Sequence, residues 1–261
     1  ELSYDTTDID LAGRHLFSEL QSTEIDRHAT DMATISAGAG NTELKSLGVA
    51  KSVNLISSDF SSLIPDPVNA YVLNDILVQN HSYGTAIESF YGAFAELYDL
   101  RSFDISTLLH VFSSGNAGES QAAEGPYQNI PGFATLTGNF KQAKNILTVG
   151  AVDTVNQRLF FSSTGPAHDG RIKPELMAFG QAGSSDAAAL VSGVSILLQE
   201  AYQEKYGQAA PSALIKALLI NGAKDIGLPG PDFQTGFGNV NAFSSLQALM
   251  EERFLAGIND G

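Results

Sequence analysis

Apolar residues fall along this chain in two patterns: short continuous runs, and longer stretches in which they recur at helical spacing. Ser52–Ser57, Ile76–Gln79, Thr107–Ser113 and Ile146–Val152 read as strands. The last two are nearly apolar throughout, as strands buried on both faces are. Helical spacing covers about Ala29–Ala39, Ile87–Tyr98, Asp186–Tyr206, Pro211–Asn221 and Ala242–Arg253. Pro211 suits a helix first turn, and Gly207 a C-terminal cap for the helix before it. Strands alternating with helices predict an α/β fold, a mostly parallel sheet covered on both faces. No repeat, low-complexity tract or linker divides the sequence, so residues 1–261 are expected to form a single domain.

Composition narrows the classes. With 261 residues the chain can bury a sizeable core, and 43% hydrophobic against 16% charged residues excludes a disordered chain. No apolar run reaches the roughly 18 residues of a membrane span; Ala187–Leu198 is interrupted by serines and a glycine. A net charge of −15 argues against nucleic-acid binding, which needs clustered Lys and Arg. It leaves simple solubility or attraction of cations as its meaning. Without cysteine there is no disulfide framework, thiol catalysis or thiolate metal site. The chain opens at Glu1 with no initiator Met or signal-peptide pattern and ends on Ile258-Asn259-Asp260-Gly261, so a segment of a longer protein is expected.

In parallel α/β sheets ligands bind beyond the carboxyl ends of the strands. The loops at those ends are Asn80-His81-Ser82-Tyr83-Gly84 and Ser113-Ser114-Gly115-Asn116-Ala117-Gly118, and Gly183-Ser184-Ser185-Asp186 precedes the most apolar helix. Ser185 stands where free N–H groups and the helix dipole stabilise negative charge, as a nucleophilic alkoxide or an oxyanion requires. A serine there equally serves as an ordinary helix N-cap. His28 opens another predicted helix and gains meaning only if it converges with Ser185. Asn116 lies in a glycine-flanked turn, either for left-handed backbone geometry or as an amide donor facing an anion. The five histidines show no convincing metal-ligand spacing.

In combination and in order, these segments resemble the subtilisin-like serine proteases, the subtilases. Gly183-Ser184-Ser185-Asp186-Ala187-Ala188-Ala189-Leu190-Val191-Ser192-Gly193 is similar to the family's nucleophile motif. Ile146–Asp153, Phe161-Ser162-Ser163-Thr164-Gly165-Pro166, Asp169–Leu176 and Gly236–Ala242 resemble the segments around it. Ser113–Gly118 resembles the oxyanion-hole loop, Ser82-Tyr83-Gly84 the strand end lining the substrate cleft, and His28-Ala29-Thr30 the start of the histidine helix. Asp10-Leu11-Ala12-Gly13-Arg14 resembles the segment after the catalytic acid, and counting back from it lands on Glu1.

The resemblance implies a subtilisin-like three-layer α/β/α fold and a serine endopeptidase that cuts internal peptide bonds through an acyl-enzyme. Ser185 would be nucleophile, His28 base and Glu1 the acid, with Asn116 in the oxyanion hole. Ser82, Tyr83, Gly84, Ser113, Ser114 and Gly115 would pair with substrate backbone. It further implies a protein or peptide substrate, a removed propeptide or additional domains, and a secreted, periplasmic or cell-surface location. No cofactor is required; structural calcium is compatible with the family and with the carboxylates Asp5, Asp8, Asp10, Glu24 and Asp26, which otherwise form a solvated acidic surface.

Several positions depart from the family pattern. The acid is Glu1 rather than Asp, and a core strand expected just before it is absent from the sequence. Asp31 replaces a second histidine, Asp186 places a carboxylate beside the nucleophile, and only Gln181 and Ala182 separate Phe179-Gly180 from the serine motif. Ala189 stands where proline is usual. These departures define the rival reading, a catalytically impaired family member serving as a peptide-binding or scaffold subunit of a larger secreted or surface assembly. A lipase-like hydrolase is a third, disfavoured because its usual nucleophile elbow precedes the histidine.

Overall fold

The computed structural model describes residues 2–255. In chain order the elements are β1 (His15–Leu16), α1 (Arg27–Ala37), β2 (Leu55–Ile56), α2 (Val68–Leu73), β3 (Val78–His81), α3 (Ala93–Asp104), β4 (Leu109–Ser113), β5 (Leu147–Val152), β6 (Leu176–Phe179), α4 (Ser184–Tyr206), α5 (Ser212–Gly222) and α6 (Ala242–Met250). Strands β3, β4, β5 and β6 form a parallel sheet in that order. At its far edge Val240 donates to the carbonyl of Met177 and Met177 to that of Gly238. Strands β1 and β2 form a separate parallel pair.

The sheet is covered on both faces, as its two-sided apolar strands predict. Leu109, Val111, Leu147, Val149 and Ala151 pack with Ala187, Ala188, Val191 and Leu198 of α4 and with α5 and α6. On the other face Phe112 joins Ala95 and Tyr98 of α3 and Phe140 and Ile146. The result is the expected three-layer α/β/α arrangement. Helix α4 is buried around most of its circumference. Its interior serines stay satisfied by turning back to the preceding turn: Ser192 Oγ donates to Ala188 O at 2.9 Å and Ser195 Oγ to Val191 O at 2.7 Å. Gly207 ends α4 in left-handed conformation, as predicted, its N–H bonding to Gln203 O.

Helix α1 crosses α4 closely. Ser36 Oγ donates to Ala189 O at 2.9 Å, and a Cβ at Gly193 would lie 2.8 Å from Ser36 O. Beneath this crossing, β2 and β3 face one another without pairing, across an open cavity of about 910 Å³ lined also by Leu2, Tyr4, Met32 and Gly193.

Several boundaries differ from the sequence reading. The predicted helix at Ile87 begins only at Ala93, because Glu88 is held elsewhere: its carboxylate accepts from Asn139 N and Nδ2, and its carbonyl from Gln142 Nε2. The strand predicted over Ile76–Gln79 runs from Val78 to His81, and that over Ser52–Ser57 shrinks to Leu55–Ile56. Strands β1 and β6 and helix α2 had not been anticipated.

At the base of the sheet a buried ion cluster ties β5, β6 and α5 together. Glu175 Oε1 lies 2.8 Å from both Lys173 Nζ and Lys216 Nζ, while its Oε2 accepts from Thr148 N at 2.8 Å. Burial alone would raise the Glu175 pKa, but the two ammonium groups outweigh it and hold it below the usual range. Replacing Glu175→Gln leaves two cations without an anion. Urea unfolding at neutral pH should then show a loss of about 3–5 kcal/mol. A loss under about 1 kcal/mol would mean that the ammonium groups reach water instead.

Candidate functional site

Helix α4 begins on a loop that only glycine can make. Gly183 is its N-cap at φ 139°, ψ −163°, and a Cβ there would lie 2.6 Å from Asn116 Nδ2. Ser184 and Ser185 are therefore the first two helical residues, and their N–H groups have no carbonyl one turn earlier within the helix. Ser185 is thus not the N-cap that a structural reading of it requires.

Asn116, in the turn after β4, meets this helix start. Its Oδ1 accepts from Ser184 N and from Ser184 Oγ, both at 3.0 Å, and Ser184 Oγ in turn accepts from Gly115 N at 3.0 Å. With two donors on Oδ1 the amide orientation is fixed, leaving the Nδ2 edge for the space beside Ser185. Ser185 Oγ donates to Ser82 O at 3.2 Å, and Ser82 Oγ donates back to Ser185 O at 3.1 Å, joining the end of β3 to the helix start.

These residues enclose a pocket of about 200 Å³ lined by Ser82, Tyr83, Gly84, Ser113, Gly115, Asn116 and Ser185, together with Thr85, Thr137 and Ser184. Most sequence-predicted residues converge here. Ser114 does not: it alternates away from the pocket and is fully buried, its N–H on Val149 O. His28 lies in the first turn of α1 with its side chain exposed, and is not part of the pocket wall. Glu1 lies outside the described residues.

Thr137 went unread because its place in the pocket depends on a distant loop folding back; Thr85, also unread, directly follows the predicted Ser82–Gly84 segment. Thr137 wedges between Gly84 and Gly115, where a Cβ at either position would collide with its hydroxyl. Asp186 does not face the pocket as a repelling carboxylate; its Oδ2 accepts from Ala182 N at 2.8 Å, closing the short loop before the helix. Among the described residues no group of three or more His, Asp or Glu side chains could hold a metal ion. Of the early carboxylates, Asp5 Oδ1 accepts from Thr7 N and Asp8 Oδ1 from Asp10 N, while Asp10 accepts from the distant Asn41 and Thr42 amides.

With this geometry in view, the sequence profile of the subtilase family matches residues 17–238. The chain belongs to the subtilase family. Solved structures with the same fold include the prenylagaramide maturation protease PagA (21% identity, TM-score 0.72, covering 95% of this chain and 91% of that one). The self-cleaved protease domain of PatA is similar at 20% identity and TM-score 0.71, covering 96% and 94%. A lanthipeptide protease is similar at 18% identity and TM-score 0.68, covering 94% and 86%. This subtilase is accordingly a member of a serine-protease family, and no helix among its described residues is long and apolar enough to cross a membrane.

Behind the pocket this subtilase buries an unusual polar chain. His110 Nδ1 and His81 Nε2 lie 3.0 Å apart, His81 Nδ1 is 3.0 Å from Tyr83 Oη, and Tyr83 Oη is 3.2 Å from Tyr98 Oη. Among the described residues His110 Nε2 has no hydrogen-bond partner. An unpaired acceptor is tolerated in a core more readily than an unpaired N–H, so the chain runs from His110 Nδ1–H to His81 Nε2, from His81 Nδ1–H to Tyr83, and on to Tyr98. It holds the Tyr83 ring in the pocket wall.

Burial keeps both imidazoles neutral, drawing His110 down to about 3 and His81 well below its ordinary value, with His110 adding to the effect on His81. The unfolded chain therefore takes up protons below about pH 6.5 that the folded one refuses. Stability should fall with pH between about 6.5 and 5 by roughly 1.4 kcal/mol per unit for each ring, above the range where carboxylates titrate. Urea unfolding across that window tests this; a flat profile would mean that the rings become charged without unfolding.

Proposed function

We propose that this subtilase is an active serine endopeptidase whose nucleophile is Ser185. The observation carrying this reading is the double hold of Asn116 on Ser184, which leaves its amide N–H₂ edge and the Ser185 backbone N–H beside the Ser185 hydroxyl. Two donors converging there suit the oxyanion formed when Ser185 Oγ attacks a peptide carbonyl.

In this reading His28 takes the Ser185 proton and passes it to the leaving amine, Glu1 being the carboxylate that orients the imidazole. Water then hydrolyses the acyl-enzyme by the reverse proton path. Substrate lies extended between Ser82–Gly84 and Ser113–Gly115, bonding to both as an added strand. Support comes from family membership, from a pocket lined by Ser185, Asn116 and both proposed substrate-binding segments, and from an Asp186 carboxylate tied to the Ala182 amide rather than opposing the oxyanion.

A fluorophosphonate probe should label the chain and fail to label Ser185→Ala. Asn116→Ala should retain its fold and lower kcat by about 10²–10³ with little change in KM, since its amide acts on the transition state. Absence of labelling in the folded protein would overturn catalysis and leave the pocket as a peptide-docking groove.

A further inference from the structure

The pocket beside Ser185 has a cation buried directly behind its floor. Lys141, at the end of the loop that brings in Thr137, is completely buried, and its Nζ donates to Thr137 Oγ1 at 2.9 Å. A Cβ on Gly84 would lie only 3.1 Å from that Nζ. The ammonium is therefore separated from the pocket by the Thr137 hydroxyl, which itself fills the space that a side chain at Gly84 would take.

An ammonium group carries three donors, and the hydrogen bond to Thr137 uses one. Among the described residues no carboxylate pairs with Lys141; the Phe140 ring lies 5.7 Å from Nζ to centroid. Lys173, equally buried, shows the usual solution, with Glu175 at 2.8 Å. Burial with nothing to offset it draws the Lys141 pKa down to about 7. A lysine in this state destabilises the fold over the range in which it is charged, because the unfolded chain binds its proton more readily. The site lacks an anion, and the open side is the pocket.

We infer that the Thr137 hydroxyl, backed by the Lys141 ammonium that donates to it, receives a side-chain carboxylate in the pocket, so that the substrates are peptides with Glu or Asp at the residue whose carbonyl Ser185 attacks. This rests on the peptidase reading for the position named, and on the pocket geometry alone for the affinity. The pocket's size suits a single side chain, and beside the Tyr83 ring its lining is hydroxyl-rich, with Ser82, Thr85, Ser113 and Thr137, which favours a polar side chain over Leu or Phe. The chain's overall charge of −15 does not decide against an acidic ligand, since charges beyond roughly 8 Å are screened at physiological salt.

The test uses fluorescein-labelled hexapeptides differing only in Glu, Gln or Leu at that residue, titrated by anisotropy against the full Ser185→Ala chain. Glu should bind about 10–100-fold tighter than Gln, the value of a charge-assisted bond to a buried group. Lys141→Met should erase that difference and melt no lower than the parent. Equal Glu and Gln affinities, or no binding of either, with native Lys141 in the folded chain would overturn the inference, whatever the methionine variant does. A preference that survives Lys141→Met would overturn it too. Fluorophosphonate labelling, which needs no particular side chain, reports separately on catalysis: labelling without Glu preference refutes only this inference, and Glu preference without labelling refutes only the peptidase.

Discussion

Helix α4 can be buried around most of its circumference only because its side chains are small, and almost everything else in the molecule is positioned by that fact. Ala187, Ala188 and Ala189 let the sheet, α1 and the Asn116 turn come close to the same two helical turns. A helix rich in Leu would fill the core as well but would hold those neighbours off by a side chain's width. The chain instead obtains a helix start that is enclosed yet not covered. There the Ser184 amide meets the Asn116 turn and the Ser185 hydroxyl the end of β3, and Ser185 is left half-exposed between them.

Three buried polar groups illustrate three ways of living in a low-dielectric interior. Glu175 with Lys173 and Lys216 stays charged by pairing. His81 and His110 stay neutral and share hydrogen bonds along a line. Lys141 is neither paired nor fully bonded. Structural clusters tend to resolve their own electrostatics, whereas an unresolved charge next to a pocket is the pattern of a group waiting for a ligand.

Much of this was legible in the sequence because the relevant signals are local. The Gly183–Ala189 segment announces a glycine-capped helix start. Leu109–Ser113 and Leu147–Val152 are close to the predicted runs, since strands buried on both faces need only be apolar. Strand β3 was misplaced by two residues because Asn80 and His81 are polar yet partly or fully buried, each bonded to a partner far along the chain: Ser192 and His110. An apolar-run criterion ends the strand before them. Helix α3 was overextended because Glu88 answers to Asn139 and Gln142, fifty residues away. Lys141 and Thr137 gave no signal at all. Lysine is almost never fully buried, and only the return of the loop after Asn116 to Gly84 and Gly115 makes it so.

The crossing of α1 over α4 at Ser36 and Gly193 is also a fulcrum. There Ser36 Oγ donates to Ala189 O and Gly193 leaves no room for a side chain against Ser36 O, so the angle between the two helices is set largely where they touch. From Ser36 back to His28 is eight residues (36 − 28), a lever arm of roughly 12 Å at about 1.5 Å per residue. A tilt of about 5° at the fulcrum swings the imidazole end by about 1 Å, a displacement that commonly costs an enzyme about a hundredfold in rate. The distance between the proposed base and its serine is thereby governed by a glycine and a hydroxyl two turns deep in the molecule, where substrate never reaches.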